Sequence, residues 1–152
     1  MLKQIWTHGE QWGYSFRVSV ARVLVVDDFA GFRDAICSML SSRPDLLVVA
    51  EASDGLEAVR KAEELQPDLI VLDLMMPKLN GLEATRRIRT VSPKSKIIIA
   101  SLESSADFVR EALRSGAAGY VIKAEIFNQL LPAIEAVLQG KRWVVEPIDD
   151  IC

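Results

Sequence analysis

Four apolar runs in this chain stop at residues that can do chemistry. Arg22–Val26 leads to Asp27 and Asp28, Leu69–Leu72 to Asp73, Ile97–Ala100 to Ser101, and Gly119–Ile122 to Lys123. Carboxylates brought close together repel and need protons or a cation. Oxygen ligands with space for water describe a Mg²⁺ site, not a zinc site. A hydroxyl and an ammonium beside a metal-bound carboxylate form a receptacle for a phosphoryl group. Singly, each residue has a plainer reading. Asp28 would cap the following helix, Asp27 would be a solvated loop acid, and Asp73 an acid at a strand end. Ser101 would be a turn residue and Lys123 a surface charge. Only a fold that gathers them makes a site.

The runs themselves say which fold that is. With Leu46–Ala50 there are five, mostly too short for helices and continuously apolar, as expected for strands covered on both faces. Segments with helical spacing separate them. Ala35, Ile36, Met39 and Leu40 make one stripe. Leu56, Val59, Ala62 and Leu65 make another, opened by Ser53 or Asp54 and stopped by Pro67. Leu82–Arg89, Ala106–Arg114 (closed by Gly116) and Ile126–Leu138 (closed by Gly140) follow. A β-α unit repeated five times argues for an α/β parallel sheet with helices on both faces. Right-handed crossovers leave the flavodoxin-like (βα)5 doubly wound sheet, order 2-1-3-4-5, as the leading topology. Ligands in such sheets bind at the carboxyl ends of the strands, where the order reverses. Here that point lies between strands 1 and 3, so Asp27, Asp28 and Asp73 converge on one crevice.

Composition bounds the rest. The chain has 152 residues, half of them hydrophobic and a quarter charged, which suits one globular domain with a real core. A net charge of −3 advertises no nucleic-acid surface. No stretch approaches the roughly 18 apolar residues of a membrane helix, and the N-terminus lacks the apolar stretch of a signal peptide. Cys37 and Cys152 have no motif spacing. Cys37 reads as a buried free thiol, which fits a reducing cytoplasm.

Residues 1–20 fall outside the repeat and hold four of the ten aromatics: Trp6, Trp12, Tyr14 and Phe16. Alternation from Trp12 to Val20 places Trp12, Tyr14, Phe16, Val18 and Val20 on one face of a half-buried strand. No Gly or Pro separates Val20 from Arg22, so this arm is expected to run on into strand 1 or to reach a sheet edge. The alternative is a leader without fixed structure. Residues 141–152 read as a short tail or the start of a linker.

With these elements in hand, the sequence resembles the receiver domain of two-component response regulators over residues 21–140. The matching segments are "VLVVDD" (23–28), "ASDGLEAV" (52–59), "DLIVLDLMMPKLNG" (68–81), "IIIAS" (97–101) and "GYVIK" (119–123). "REALRSGAAGYVIK" (110–123) and "LLPAIEAVLQGKRWV" (130–144) look most like NarL/LuxR-type regulators. Those carry a helix-turn-helix DNA-binding domain, which these 152 residues do not contain. The resemblance implies that Asp73 is the phosphoacceptor for a histidine kinase or phosphotransfer protein. Asp27, Asp28, Asp73 and the Met75 backbone carbonyl would hold Mg²⁺. Ser101 and Lys123 would meet the phosphoryl oxygens, and Ser101 and Tyr120 would be the switch pair. Signalling would act through the face of helix 4, strand 5 and helix 5, without direct nucleic-acid or membrane binding by this chain, and with a homodimer as one expected assembly. Ser101 stands where Thr is frequent, Leu102 is bulkier than in many receivers, Ala124 replaces a frequent Pro, and Pro132 interrupts the last helix.

Other readings are a receiver-fold interaction module that works without phosphorylation, a metal-dependent phosphohydrolase and a flavin-binding protein. The phosphohydrolase would want an acid two residues after Asp73, where Met75 stands. The flavin protein would want a phosphate-binding loop where "DDFAG" is acidic.

Overall fold

The computed structural model describes residues 3–8 and 15–144. Chain order is β1 (Lys3–His8), β2 (Ser15–Val26), α1 (Ala30–Ser41), β3 (Leu46–Ala52), α2 (Gly55–Leu65), β4 (Leu69–Asp73) and α3 (Gly81–Val91). It continues with β5 (Lys96–Ser101), α4 (Ala106–Ser115), β6 (Gly119–Ile122), α5 (Ile126–Leu138) and β7 (Trp143–Val144). A single 3₁₀ turn, Lys123–Glu125, joins β6 to α5.

Period-two alternation with both faces buried explains why the strands read as unbroken apolar runs. Leu24, Val26, Ile70, Leu72, Ile97, Ile99 and Tyr120 point toward α2, α3 and α4, where Ala58, Ala62, Ala84, Ile88, Val109 and Ala112 meet them. Val23, Val25, Leu69, Val71, Ile98, Ala100 and Val121 point the other way. There they meet Ile36 and Leu40 of α1 and Leu130, Ala133, Ile134 and Val137 of α5. Each fully buried aliphatic side chain contributes about 1.5–3 kcal/mol, so these two layers hold the sheet.

Six strands run parallel in the order β3-β2-β4-β5-β6-β7. The first five are the expected flavodoxin-like arrangement, with β2 as its strand 1. Asp54 caps α2 by accepting the Glu57 N–H at 2.8 Å, which decides between the two candidate caps. Asn80 and Ser105 cap α3 and α4 in the same way, and Gly116 ends α4 at φ 111°. Pro132 lies inside α5, where it cannot donate its backbone hydrogen bond.

Two strands were not foreseen. β1 pairs antiparallel with Ser15–Val20, so β2 is one 12-residue strand that begins in a two-stranded ribbon and ends in the sheet. From Ser15 the backbone runs unbroken into the central sheet, while Trp12 and Tyr14, on which the arm was read, lie outside the described residues. β7 is a two-residue edge strand drawn from the segment read as a tail, and Cys152 also lies outside the description. Cys37 is half-buried, not fully buried as expected, because it sits toward the rim of α1 near Glu51. Partial burial, with the charges of Glu51 and Asp34, pushes its thiol up to about 11, which disfavours the thiolate.

Candidate functional site

At the carboxyl ends of β2, β4, β5 and β6 the expected residues meet. Asp27 (1% exposed), Asp73 (5%) and Ser101 (1%) are buried, and Asp28 is exposed at the mouth. One carboxylate oxygen from each of Asp27, Asp28 and Asp73 lies within 4.8 Å of the others. Lys123 Nζ donates to Asp27 Oδ2 at 2.6 Å and lies 3.3 Å from Asp73 Oδ1. These groups line an open hollow of about 510 Å³, completed by Phe29, Phe32, Met75, Leu102, Glu103 and Ala124.

Local structure fixes each group. Asp27 Oδ1 accepts the Phe29 N–H at 2.9 Å, and the Asp27 carbonyl accepts from Arg33 at 2.6 Å. Arg33 also pairs with Glu51 at 3.3 Å, so α1 is tied to β3 beside the acids. The N-cap of α1 is Phe29, with no side-chain cap bond. Asp28 is therefore not used up as the helix cap that its position suggests. The loop after Asp73 is closed by the Gly81 N–H donating to the Leu74 carbonyl at 2.7 Å. At Gly81, a Cβ would stand 2.4 Å from the Asp73 carbonyl oxygen, so only glycine lets α3 start so close to the acid.

Burial raises Asp73 to about 6, with the nearby Asp27 charge adding and Lys123 opposing. Ser101 Oγ accepts the Glu103 N–H at 3.0 Å, while the Tyr120 hydroxyl donates to the Glu103 carbonyl at 2.6 Å. One peptide residue thus bridges the hydroxyl and the aromatic. Burial pushes the Tyr120 hydroxyl up, so it remains a donor. Met75 follows on the loop with its side chain exposed. Phe32, Arg33 and Glu103 were missed by sequence reasoning. Each has a contact that joins different β-α units (Phe32 to Lys123, Arg33 to Glu51, the Glu103 carbonyl to Tyr120), and no local pattern in the sequence announces it.

This geometry has known counterparts. The family model for the response regulator receiver domain matches residues 23–135. The chain belongs to the response regulator receiver family. Among relatives, it is 34% identical over 123 residues to the transcriptional regulatory protein DegU of Brevibacillus brevis, covering 81% of this chain and 52% of that one. It is 36% identical over 131 residues to the nitrate/nitrite response regulator protein NarL of Escherichia coli, covering 86% and 61%. The match to a protein-glutamate methylesterase/protein-glutamine glutaminase of Thermotoga maritima is 45% identical over 121 residues but covers only 35% of that protein. The chain thus spans about half the length of the curated relatives it matches. Among solved structures, a LuxR-family two-component response regulator from Aurantimonas superposes with a TM-score of 0.79 at 39% identity, covering 88% of this chain and 93% of that one. The response regulator domain of Thermotoga maritima CheB gives 0.71 at 41%, covering 80% and 95%. Receivers of this family act with histidine kinases or phosphotransfer proteins, most are not enzymes, and they are typically cytoplasmic. No helix among the described residues is long and apolar enough to cross a membrane.

Proposed function

We propose that Asp73 is the phosphoacceptor of this receiver, taking a phosphoryl group from a phosphohistidine of a kinase or phosphotransfer protein. One observation carries the reading: a buried carboxylate sits at the base of an open hollow with an ammonium 3.3 Å away and two further acids beside it. An Asp73 carboxylate oxygen attacks phosphorus, the P–N bond to the donor imidazole breaks, and the imidazole leaves with its electron pair. Lys123 meets the equatorial oxygens as the charge shifts onto them.

The donor set fits Mg²⁺: three carboxylates with oxygens within 4.8 Å, in a hollow with room for water. Asp27, Asp28, Asp73 and the Met75 carbonyl would hold it, and when bound it supplies positive charge to the phosphoryl oxygens. The acyl phosphate carries about −2 charge. Ser101, turning toward it, would loosen its hold on the Glu103 N–H. The same residue's carbonyl anchors Tyr120, so in this reading the shift would pass to the α4-β6-α5 face as the element that switches.

With Mg²⁺ and a small phosphodonor, the protein should gain one acid-labile and base-labile phosphoryl group, read by intact mass. Asp73→Asn should gain none. Uptake persisting in that variant moves the nucleophile elsewhere, and no uptake by the unaltered chain favours the phosphate-independent interaction module.

A further inference from the structure

An ammonium has three N–H donors and no acceptor. Lys123 directs its charge at Asp27 Oδ2 and Asp73 Oδ1, and its Nζ also lies 4.4 Å from the centroid of the Phe32 ring. Phe32 belongs to the first turn of α1 and packs against the layer formed by α1, α5 and the sheet. It lines the same hollow as the acids. A cation within about 6 Å of a ring centroid is attracted by the ring's quadrupole, and more strongly once desolvated. The Lys123 side chain is only 11% exposed, so the contact is largely shielded from water.

The three partners of this ammonium differ in what else they must do. In the reading above, both carboxylates are metal ligands, and Asp73 is converted to an acyl phosphate. Each then changes its charge, its orientation or both. A benzyl ring does not titrate, coordinate a hard cation or react with phosphorus. Its attraction for Lys123 is the same at every stage.

We propose that Phe32 is a positioning residue that keeps the Lys123 ammonium at the site while Asp27 and Asp73 are engaged by metal and phosphoryl group. The inference rests on the phosphoacceptor reading of Asp73. With an aliphatic residue at 32 the hollow stays filled, but the four-carbon stem of Lys123 is free to swing its charge toward solvent.

Beryllofluoride, a phosphoryl mimic, tests this when titrated at saturating Mg²⁺ and followed by calorimetry, alongside titration of Mg²⁺ alone. Phe32→Leu should weaken beryllofluoride binding about five- to thirtyfold, the range between an exposed and a desolvated cation–π contact. Mg²⁺ binding without the mimic should be unchanged, and Phe32→Tyr, which keeps a ring, should bind as the unaltered chain does. In a Lys123→Ala background, Phe32→Leu should have no further effect. The proposal is overturned if Phe32→Leu binds the mimic normally, if it weakens Mg²⁺ alone to the same degree, or if its effect survives in the Lys123→Ala background. Should Phe32→Leu not fold, Phe32→Met against Phe32→Tyr makes the same comparison. Failure of the underlying reading looks different: the unaltered chain would not bind beryllofluoride, or Asp73→Asn would bind it equally well. Either result sinks both claims, whereas normal binding by Phe32→Leu sinks only the second.

Discussion

Asp73 is held where its own charge is unwelcome. Burial and Asp27 raise it to about 6, against about 3.9 for a free aspartate, so the folded protein binds its proton more tightly than the unfolded chain does. The folded state then loses stability as pH rises from about 4 through 6, because the unfolded chain releases that proton first. Without divalent cations, Asp73→Asn should therefore be more stable than the unaltered chain at pH 7.5, by about 2 kcal/mol, with the gain fading near pH 4. Denaturant melts at the two pH values check this, and a gain of equal size at both would place its origin elsewhere. Mg²⁺ should act on the same strain. At about 100 times its dissociation constant, a ligand bound only to the folded state adds about 2.7 kcal/mol. Asp28→Ala should remove that gain while leaving the metal-free protein no less stable. Thermal melts with and without Mg²⁺ give the answer, and equal gains would mean that Asp28 is not a ligand. Asp27, Asp28, Asp73, Ser101 and Lys123 were legible because each follows an apolar run, where a polar group has few reasons to be, whereas Met75 and Tyr120 came only from the family resemblance. Phe32 was not legible, because the ammonium it touches lies on another β-α unit, and Glu103 was not, because it acts through its backbone, which no side-chain pattern announces.

The start of α2 lies close against the loop that follows Asp73. A Cβ on Gly55 would stand 2.0 Å from the Leu79 carbonyl oxygen, in the loop between Asp73 and α3. Asp54, the cap next to it, also pairs with Lys78 of that loop at 3.4 Å. Lys78 has a left-handed backbone (φ 67°), an uncommon choice for a residue with a side chain. Gly55→Ala should force α2 and the loop apart and lower stability by about 2 kcal/mol or more, the usual scale of overpacking in a closed site. Phosphoryl uptake should slow as well, since that loop carries Met75. Denaturant titration and uptake rates together test this, and an alanine variant matching the unaltered chain in both would show that α2 yields freely. The five central strands and five helices were readable because burial on both faces leaves continuous apolar runs, with caps and glycines marking the joints. β1 carries a polar-apolar mixture, "KQIWTH", and β7 has only two residues, so neither leaves such a run.

At the scale of the molecule, β2 joins two ends with different work. Its carboxyl end delivers Asp27 and Asp28, and its amino end forms the ribbon with β1. Deleting residues 1–18 should leave phosphoryl uptake at Asp73 unchanged, because the ribbon lies at the far end of the strand from the acids. A large loss of uptake would show the two ends to be coupled. A two-stranded ribbon is marginal in water on its own, and its edges invite pairing. The same deletion, followed by light scattering with and without phosphodonor, therefore tests the proposed homodimer. A monomer before and after deletion, at high concentration, would count against the ribbon as a dimer contact.

One consequence of that shared strand can be read amide by amide. β2 spans 12 residues, about 40 Å of chain at about 3.3 Å each. From Ala21 onward it is flanked by parallel strands and roofed by helices, while Ser15–Val20 has β1 as its single strand partner among the described residues. Hydrogen–deuterium exchange along this one strand should show a step near Val20: quick exchange through local opening before it, and exchange limited by global unfolding after it. A single unbroken stretch of backbone would then carry two different clocks.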